Sequence, residues 1–477
     1  MSVNTDFMNE PIFKYFENIC KIPHGSGNEK ALADYVEGFA RERGLYSYRD
    51  SFDNILIRRP ASDGYENRPA VLLQGHLDMV CEKLPELEFD FTKDAIETVE
   101  RDGCIYANGT TLGADDGAAV AVMLAILDDK EYKAPLIECL FTTGEETALI
   151  GATNFDYSKI IARRMINIDT EREGEAVAGS SGGVRCKIER DIETSAPEDG
   201  VKTMKITIGG LKGGHSGTDI ALGRISACVL MSRLLRLFGD RITLAKINGG
   251  NMDNAIARDC TAEIVCTDTD QIKDTARDFE TTIKAKLNPD DSAFFITVEE
   301  IDDGERVMTR EMSDSVISLA NELQHGVYAM SRDMEGLVES SANFASFKER
   351  DGKLVLTMSF RSSVASTLAS MKETIGEKAG RYGFEVIFEG EYPGWQYSPD
   401  SPMIQIFKDS YKRLSGREGS VVAIHAGLEC GLIKSNIPDM DIISVGPTIE
   451  DAHTPNEHMD IGSFMRVYEL VKVMINE

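Results

Sequence analysis

AVLLQGHLDMV, residues 70–80, opens with a short apolar run, breaks at Gly75 and then presents His76 and Asp78 in quick succession. Runs of similar length recur at LIECLFTT (136–143), RMINID (164–169) and MDIISVG (440–446). Each has the length of a strand, and none shows the polar alternation of a half-wet one. They suit strands buried on both faces, as in a parallel sheet covered by helices. Between the first two lies DDGAAVAVMLAILDD (115–129), apolar nearly all round and long enough for a packed crossover helix. Upstream, NEKALADYVEGFARERG (28–44) spaces its apolar residues for an amphipathic helix that stops at Gly44. The pattern predicts an α/β fold: a three-layer catalytic domain around a mostly parallel central sheet.

The middle of the chain has another texture. TMKITIGG (203–210), ITLAKINGG (242–250), TAEIVCTD (261–268), AFFITVEEI (293–301), LVLTMSFRSS (354–363) and FEVIFEGEY (384–392) alternate, so each predicts a strand with one wet face. Helical spacing at 221–238, 271–287, 313–331 and 366–381 predicts helices on the other side of that sheet. An α+β domain inserted into the first follows, with turn-rich crossings at AGSSGG (178–183) and YPGWQYSPDSP (392–402). The expected organisation is 1–186 for the first part of the catalytic domain, 187–390 for the insert and 391–477 for the remainder.

Composition excludes several classes. With 80 acidic and 51 basic side chains the formal charge is −29, which repels phosphate backbones, so nucleic acid is not an expected partner. No window reaches the roughly 18–20 apolar residues of a membrane span, and MSVNTDFMNEPIFKYF lacks the basic and apolar regions of a secretory leader. Nine cysteines, an odd number without a C-x-x-C pair, point to a reducing compartment and a cytoplasmic location.

The seven histidines are few enough to weigh singly. His76 follows a buried strand directly, at the edge where open α/β sheets bind ligands, and Asp78 is placed to orient its ring. An isolated H-x-D is more readily a strand end with a capping Asp. In NGTTLGADDG (108–117), Asp115 precedes the long apolar helix, where it can bridge two cations or merely cap the helix. LFTTGEETALIG (140–151) sets Glu145 beside Glu146 at another strand end. Such a pair stays ionised only beside positive charge, unless one member serves proton transfer. Asp169 closes RMINID likewise, and His453 lies in ISVGPTIEDAHTPNE (443–457), after a further apolar run. Each placement alone has a bland explanation. Together they put five oxygen and imidazole donors on one rim of one sheet, a set that suits Zn²⁺, with Mn²⁺ or Co²⁺ as alternatives. Five ligands exceed the about three of a single open zinc site and fit a pair sharing a carboxylate.

GHLDMV, GADDG, TTGEE, the Asp ending NID, and GPTIEDAHTPNE occur in the order seen in the co-catalytic zinc peptidases, a family that includes aminoacylases, glutamate carboxypeptidase and carnosinase. The chain resembles that family, and IPHGSGNE (22–29), GTTLGADDG, GGHSG (213–217) and HAGLECG (425–431) strengthen the likeness to its dipeptidase branch over nearly the whole length. The resemblance implies two Zn²⁺ per chain. One would be held by His76 and Asp169, the other by Glu146 and His453, with Asp115 bridging. It implies Glu145 as the base acting on a metal-bridging water, Asp78 as an orienting residue, and an inserted lid that also dimerises.

On the lid, His215 in GGHSG would donate a hydrogen bond to the transition-state oxyanion, from its own chain or from a partner's. Asn254, Arg361 and the loop at Gly427 would contact substrate, Arg361 through its carboxylate. Ala257 stands where the family pattern has proline, and Asp116 where the dipeptidase branch frequently has asparagine; neither removes a ligand. The implied activity is hydrolysis of unblocked dipeptides, Xaa-His and others, by a homodimer. An N-acyl amino acid deacylase would share the same metal set, and a non-catalytic binding protein could keep the fold.

Overall fold

A computed structural model describes residues 10–302, 304 and 306–477. Residues 1–9, which form part of the stretch read above for a leader, lie outside the described residues. The chain divides into two compact units. One runs to Ser180 and resumes over Trp395–Ala423 and Leu428–Glu477; the other comprises Ser181–Gly394 with Ile424–Gly427.

The first unit is built on an eight-stranded sheet in the order Tyr46–Arg49, Ile55–Arg59, Ile137–Thr142, Val71–His76, Arg164–Asn167, Asp441–Ser444, Glu175–Ser180 and Ser420–Ile424. The four central strands, those starting at Ile137, Val71, Arg164 and Asp441, pair in parallel. These are the four apolar runs of the sequence. Toward either edge the pairing turns antiparallel, so the sheet is mixed. Val71–His76 and Ile137–Thr142 are buried at every position, as strands covered on both faces must be.

The helix Ala114–Asp128 is apolar around its circumference because it lies inside, between the sheet and the helix Pro11–Cys20. Phe13 and Phe16 of that outer helix set their rings edge-on to Phe464 of the C-terminal helix Ile461–Ile475. Burying one such side chain as completely as Phe141 contributes about 1.5–3 kcal/mol.

The second unit carries an antiparallel sheet ordered Phe295–Ile301, Lys202–Gly209, Cys260–Cys266, Ile242–Gly249, Val338–Arg350, Lys353–Ser362, Gly182–Asp191 and Glu385–Tyr392, with Gly326–Met330 added against Val338–Arg350. Helices Ala227–Phe238, Thr269–Lys284, Arg310–Glu322 and Ala365–Arg381 pack on it and share its apolar core. Asp268 and Thr309 cap two of them by accepting backbone N–H groups with their side chains.

Three expectations need correction. The helix expected over 313–331 ends at Glu322, and the chain returns as the strand Gly326–Met330. The strands Gly182–Asp191 and Val338–Arg350 escaped the pattern reading. In the latter, Ser340, Ser341 and Asn343 are buried on both faces, and small polar residues give neither an apolar run nor an alternation. The boundaries expected after 186 and 390 would cut two continuous strands. Gly182–Asp191 pairs along its whole length with Lys353–Ser362, and Glu385–Tyr392 keeps its pairing to Tyr392 against Gly183, so the units divide at 180/181 and 394/395. Among the described residues no helix is long and apolar enough to cross a membrane.

The helix Ala114–Asp128 meets the strand below it at Gly75, where an added Cβ would lie 2.4 Å from Asp116 Oδ2 and 2.5 Å from Ala119 Cβ. Gly75→Ala is therefore expected to cost about 1–3 kcal/mol by overpacking. Gly376, inside a helix and with open space around its Cβ position, is the control: Gly376→Ala should stabilise by about 0.5–1 kcal/mol. Thermal unfolding of the two variants checks both signs.

Candidate active site

Strand ends deliver the donors. His76 is the last residue of Val71–His76, Glu145 and Glu146 follow Ile137–Thr142 through a turn at Gly144, and Asp169 follows Arg164–Asn167. Asp115 enters from the first turn of the buried helix, across a cis peptide to Asp116. His453 stands in the loop after the short strand Ile449–Glu450, with φ 62°.

Asp115 joins the set. Its Oδ1 lies 3.1 Å from His76 Nε2 and its Oδ2 3.1 Å from His453 Nε2. His453 Nε2 is also 2.8 Å from Glu146 Oε1, and His76 Nε2 is 3.7 Å from Asp169 Oδ1. One carboxylate thus stands between two imidazoles, and each imidazole has a second carboxylate beside it. Potential ligand atoms fall within 4.8 Å of one another in three groups: His76 with Asp116 and Asp169, His76 with Glu145 and Glu146, and Asp115 with Glu146 and His453. Asp116 is already committed, since its Oδ2 accepts the His76 backbone N–H at 3.0 Å.

Asp78 is buried beside His76, and its part differs from a simple ring-orienting carboxylate. His76 Nδ1 is 2.9 Å from the backbone oxygen of Asp78 and 3.5 Å from its carboxylate Oδ1. That carboxylate also accepts the backbone N–H of Glu145 at 2.9 Å and of Glu146 at 3.2 Å, and so clamps the turn that carries both.

The electrostatics are those of a crowded anionic site. Burial pushes Glu145 up to about 8, reinforced by Glu429, Glu146 and Asp115. Burial also holds Asp169 well above the carboxylate range, beside Asp115 and Glu145. Burial alone would lower His76, but hydrogen bonds to Asp115 and Asp78 hold it well above its ordinary value. Hydrogen bonds to Asp115 and Glu146 raise His453 to about 11. Asp169 Oδ2 is buried with no hydrogen-bond partner among the described residues. Oxygen and nitrogen donors converge, and one buried oxygen lacks a partner among the described residues: the residues fit a pair of divalent cations.

Two buried carboxylates went unassigned in the sequence reading. Glu457 accepts backbone N–H groups from Leu112 and Ala114 at 2.8 Å, Gly113 at 3.2 Å and Asp115 at 3.3 Å, and thereby fixes the turn that aims Asp115. Burial and the charge of Asp115 raise it to about 7. Glu429 accepts from Gln74 Nε2 at 2.5 Å and Thr142 Oγ1 at 2.6 Å behind the strand ends. Both lie in stretches quoted above, but their partners are hundreds of residues away in sequence, and no local signal marks them.

The remaining expected residues belong to the second unit. His215 lies on a two-residue ladder with Ala255 and Ile256. Its Nδ1 accepts N–H groups from Gly217 and Thr218, each at 3.3 Å, which leaves the ring proton on Nε2. Burial and the nearby Arg361 lower its basicity. Arg361 donates to Tyr392 OH at 3.1 Å, and its Nε has no partner among the described residues. A Cβ on Gly427 would lie 2.7 Å from the Tyr392 ring. Asn254 is exposed, and its backbone oxygen accepts from Ser216 N at 2.8 Å. His425, buried, sits 2.7 Å from Ser341 Oγ, and a Cβ on Gly217 would lie 2.6 Å from its backbone oxygen.

Residues 72–477 match the family model described as peptidase family M20/M25/M40. The chain is 35% identical to the cytosol non-specific dipeptidase of Escherichia coli over 100% of its own length and 99% of that protein. The crystal structure of aminoacylhistidine dipeptidase from Vibrio alginolyticus superposes with a TM-score of 0.91 at 33% identity, covering 98% of this chain and 97% of that one. A Staphylococcus aureus tripeptidase shares the fold, with a TM-score of 0.55 at 18% identity over 98% of this chain and 97% of the other.

Glu457→Ala would leave buried amides without an acceptor and is expected to cost about 3 kcal/mol, with weakened cation binding. Thermal unfolding and metal content of the purified variant measure both effects. With its basicity raised to about 11 by Asp115 and Glu146, His453 would have to release a proton at pH 7 on ligating a cation such as Zn²⁺. Apparent affinity should therefore rise with pH, about tenfold per unit for each proton displaced. Titration calorimetry in buffers of different ionisation enthalpy counts the protons.

Proposed function

Because the chain belongs to peptidase family M20/M25/M40 and is therefore a hydrolase, we propose that it is a two-metal dipeptidase that hydrolyses unblocked dipeptides, Xaa-His among them. The observation that carries this reading is the Asp115 carboxylate, with one oxygen on each of two imidazoles. In this reading His76 and Asp169 hold one cation, Glu146 and His453 the other, and Asp115 both. Zn²⁺ is the first choice, and Mn²⁺ or Co²⁺ are alternatives. When bound, the pair supplies Lewis acidity toward the scissile carbonyl and lowers the pKa of the attacking water.

The chain's own residues do the rest. Glu145 stands next to the ligand Glu146 without a place in the bridged set, and its burial favours holding a proton. It takes the proton of the water and returns it to the leaving amine. The two N–H bonds to Asp78 fix where its carboxylate begins. His215, neutral and protonated on Nε2, is suited to donate to the oxyanion. Arg361 offers a fork for the substrate carboxylate, with Asn254 and the Gly427 loop as further contacts.

The names of the E. coli and Vibrio relatives support the dipeptidase assignment, and nine free cysteines support a cytoplasmic setting. The proposed assembly is a homodimer formed through the second unit. The strand Gly326–Met330 there exposes Val327, Tyr328 and Met330, apolar groups that an isolated chain leaves wet.

The test is a panel of dipeptides and N-acetyl amino acids before and after chelation. Turnover of dipeptides that chelation abolishes and Zn²⁺ restores is expected; cleavage of N-acetyl amino acids alone would identify a deacylase. Glu145→Gln should retain wild-type metal content and lose about 10²–10⁴-fold in kcat. Unchanged turnover would remove Glu145 from the mechanism.

A further inference from the structure

The motif IPHGSGNE (22–29) has no part in the mechanism above, yet it folds as a closed loop against the site. Gly25 approaches the segment after Asp78 so nearly that a Cβ there would lie 2.3 Å from Cys81 Sγ. Asn28 N donates to Gly25 O at 2.7 Å, Glu29 accepts the Gly27 N–H at 2.9 Å, and Gly27 takes φ 83°, a conformation glycine adopts without strain. Closed on itself in this way, the loop turns the Ser26 hydroxyl toward Asp78. Ser26 N donates to Met79 O at 3.2 Å, and Ser26 Oγ donates to Asp78 Oδ2 at 2.9 Å.

Asp78 Oδ2 is the same oxygen that accepts the Glu146 N–H, while Oδ1 accepts that of Glu145. Three donors from two distant segments therefore fix one buried carboxylate. Two of them belong to the turn bearing the general base and a ligand; the third is the Ser26 hydroxyl. The hydroxyl is the one donor of the three that comes from outside the turn, and it shares Oδ2 with the Glu146 N–H.

We propose that Ser26 is a positioning residue for catalysis: through Asp78 it locks the Glu145–Glu146 turn, and the motif 22–29 exists to deliver that hydroxyl. The proposal rests on the roles of Glu145 and Asp78 given above. Ser26 touches neither a ligand atom nor the expected substrate, so its loss should leave binding intact and loosen the base.

The experiment compares Ser26→Ala and Asp78→Ala with wild type, all loaded with Zn²⁺. It measures kcat and KM for a dipeptide, metal content, and amide hydrogen exchange at Glu145 and Glu146. Ser26→Ala should lower kcat about tenfold, with KM and metal content unchanged and with faster exchange at both amides. Unchanged kcat and unchanged exchange would overturn the proposal. So would lost metal or raised KM with exchange as in wild type, because the hydroxyl would then serve only the fold. Full turnover by Asp78→Ala would instead refute the mechanistic role of Asp78. The exchange comparison separates that failure from one of the Ser26 contact itself.

Discussion

The carboxylate of Asp115, shared between His76 and His453, is the constraint around which the first unit is arranged. A shared carboxylate requires two imidazoles from opposite ends of the chain to face each other across about the width of one acidic group. That geometry is only as firm as the elements behind it. His76 is the end of a fully buried strand, and the strands beside it are pinned below the donor layer by a polar ladder. Gln74, Asn167 and Ser444 lie level on three neighbouring parallel strands and are linked by buried side-chain hydrogen bonds, with Thr142 and Gln74 joined through Glu429. Buried polar groups are costly unless satisfied, and once satisfied they rigidify.

The other half of the constraint is the turn before the helix Ala114–Asp128. It is held from the far end of the chain by Glu457, four residues after His453. One short segment, 453–457, therefore contributes an imidazole to one side of Asp115 and fixes the backbone on its other side. The acidic excess of the site has the same origin. Carboxylates are packed closely enough that burial drives several toward their protonated forms, while the imidazoles are driven toward theirs. Divalent cations bound among these donors would offset that crowding of charge.

Much of this was legible in the sequence because the donors sit where chain periodicity changes. His76, Glu145, Glu146 and Asp169 each follow an apolar run, and the runs proved to be adjacent strands. The central sheet and the buried helix were readable for the same reason: full burial leaves an unbroken apolar signature. Legibility failed where burial is achieved with small polar residues, as at Ser340–Asn343, and where an interaction spans the chain, as at Glu457 and Glu429. The reading of Asp78 fell between these cases. Its proximity to His76 was visible two residues away, but its clamp on the Glu145–Glu146 turn depends on a strand pairing that no local pattern encodes. The domain boundaries were misplaced by a few residues because glycine-rich crossings continue directly into paired strands.

The central claim is that Asp115 bridges two cations, and crystals of the zinc-loaded protein measured at the zinc absorption edge test it most directly. The account expects two anomalous peaks about 3.5–4 Å apart, with one Asp115 oxygen on each, one beside His76 and the other beside His453. A single peak, or two peaks with Asp115 bound to neither or to only one, would contradict it.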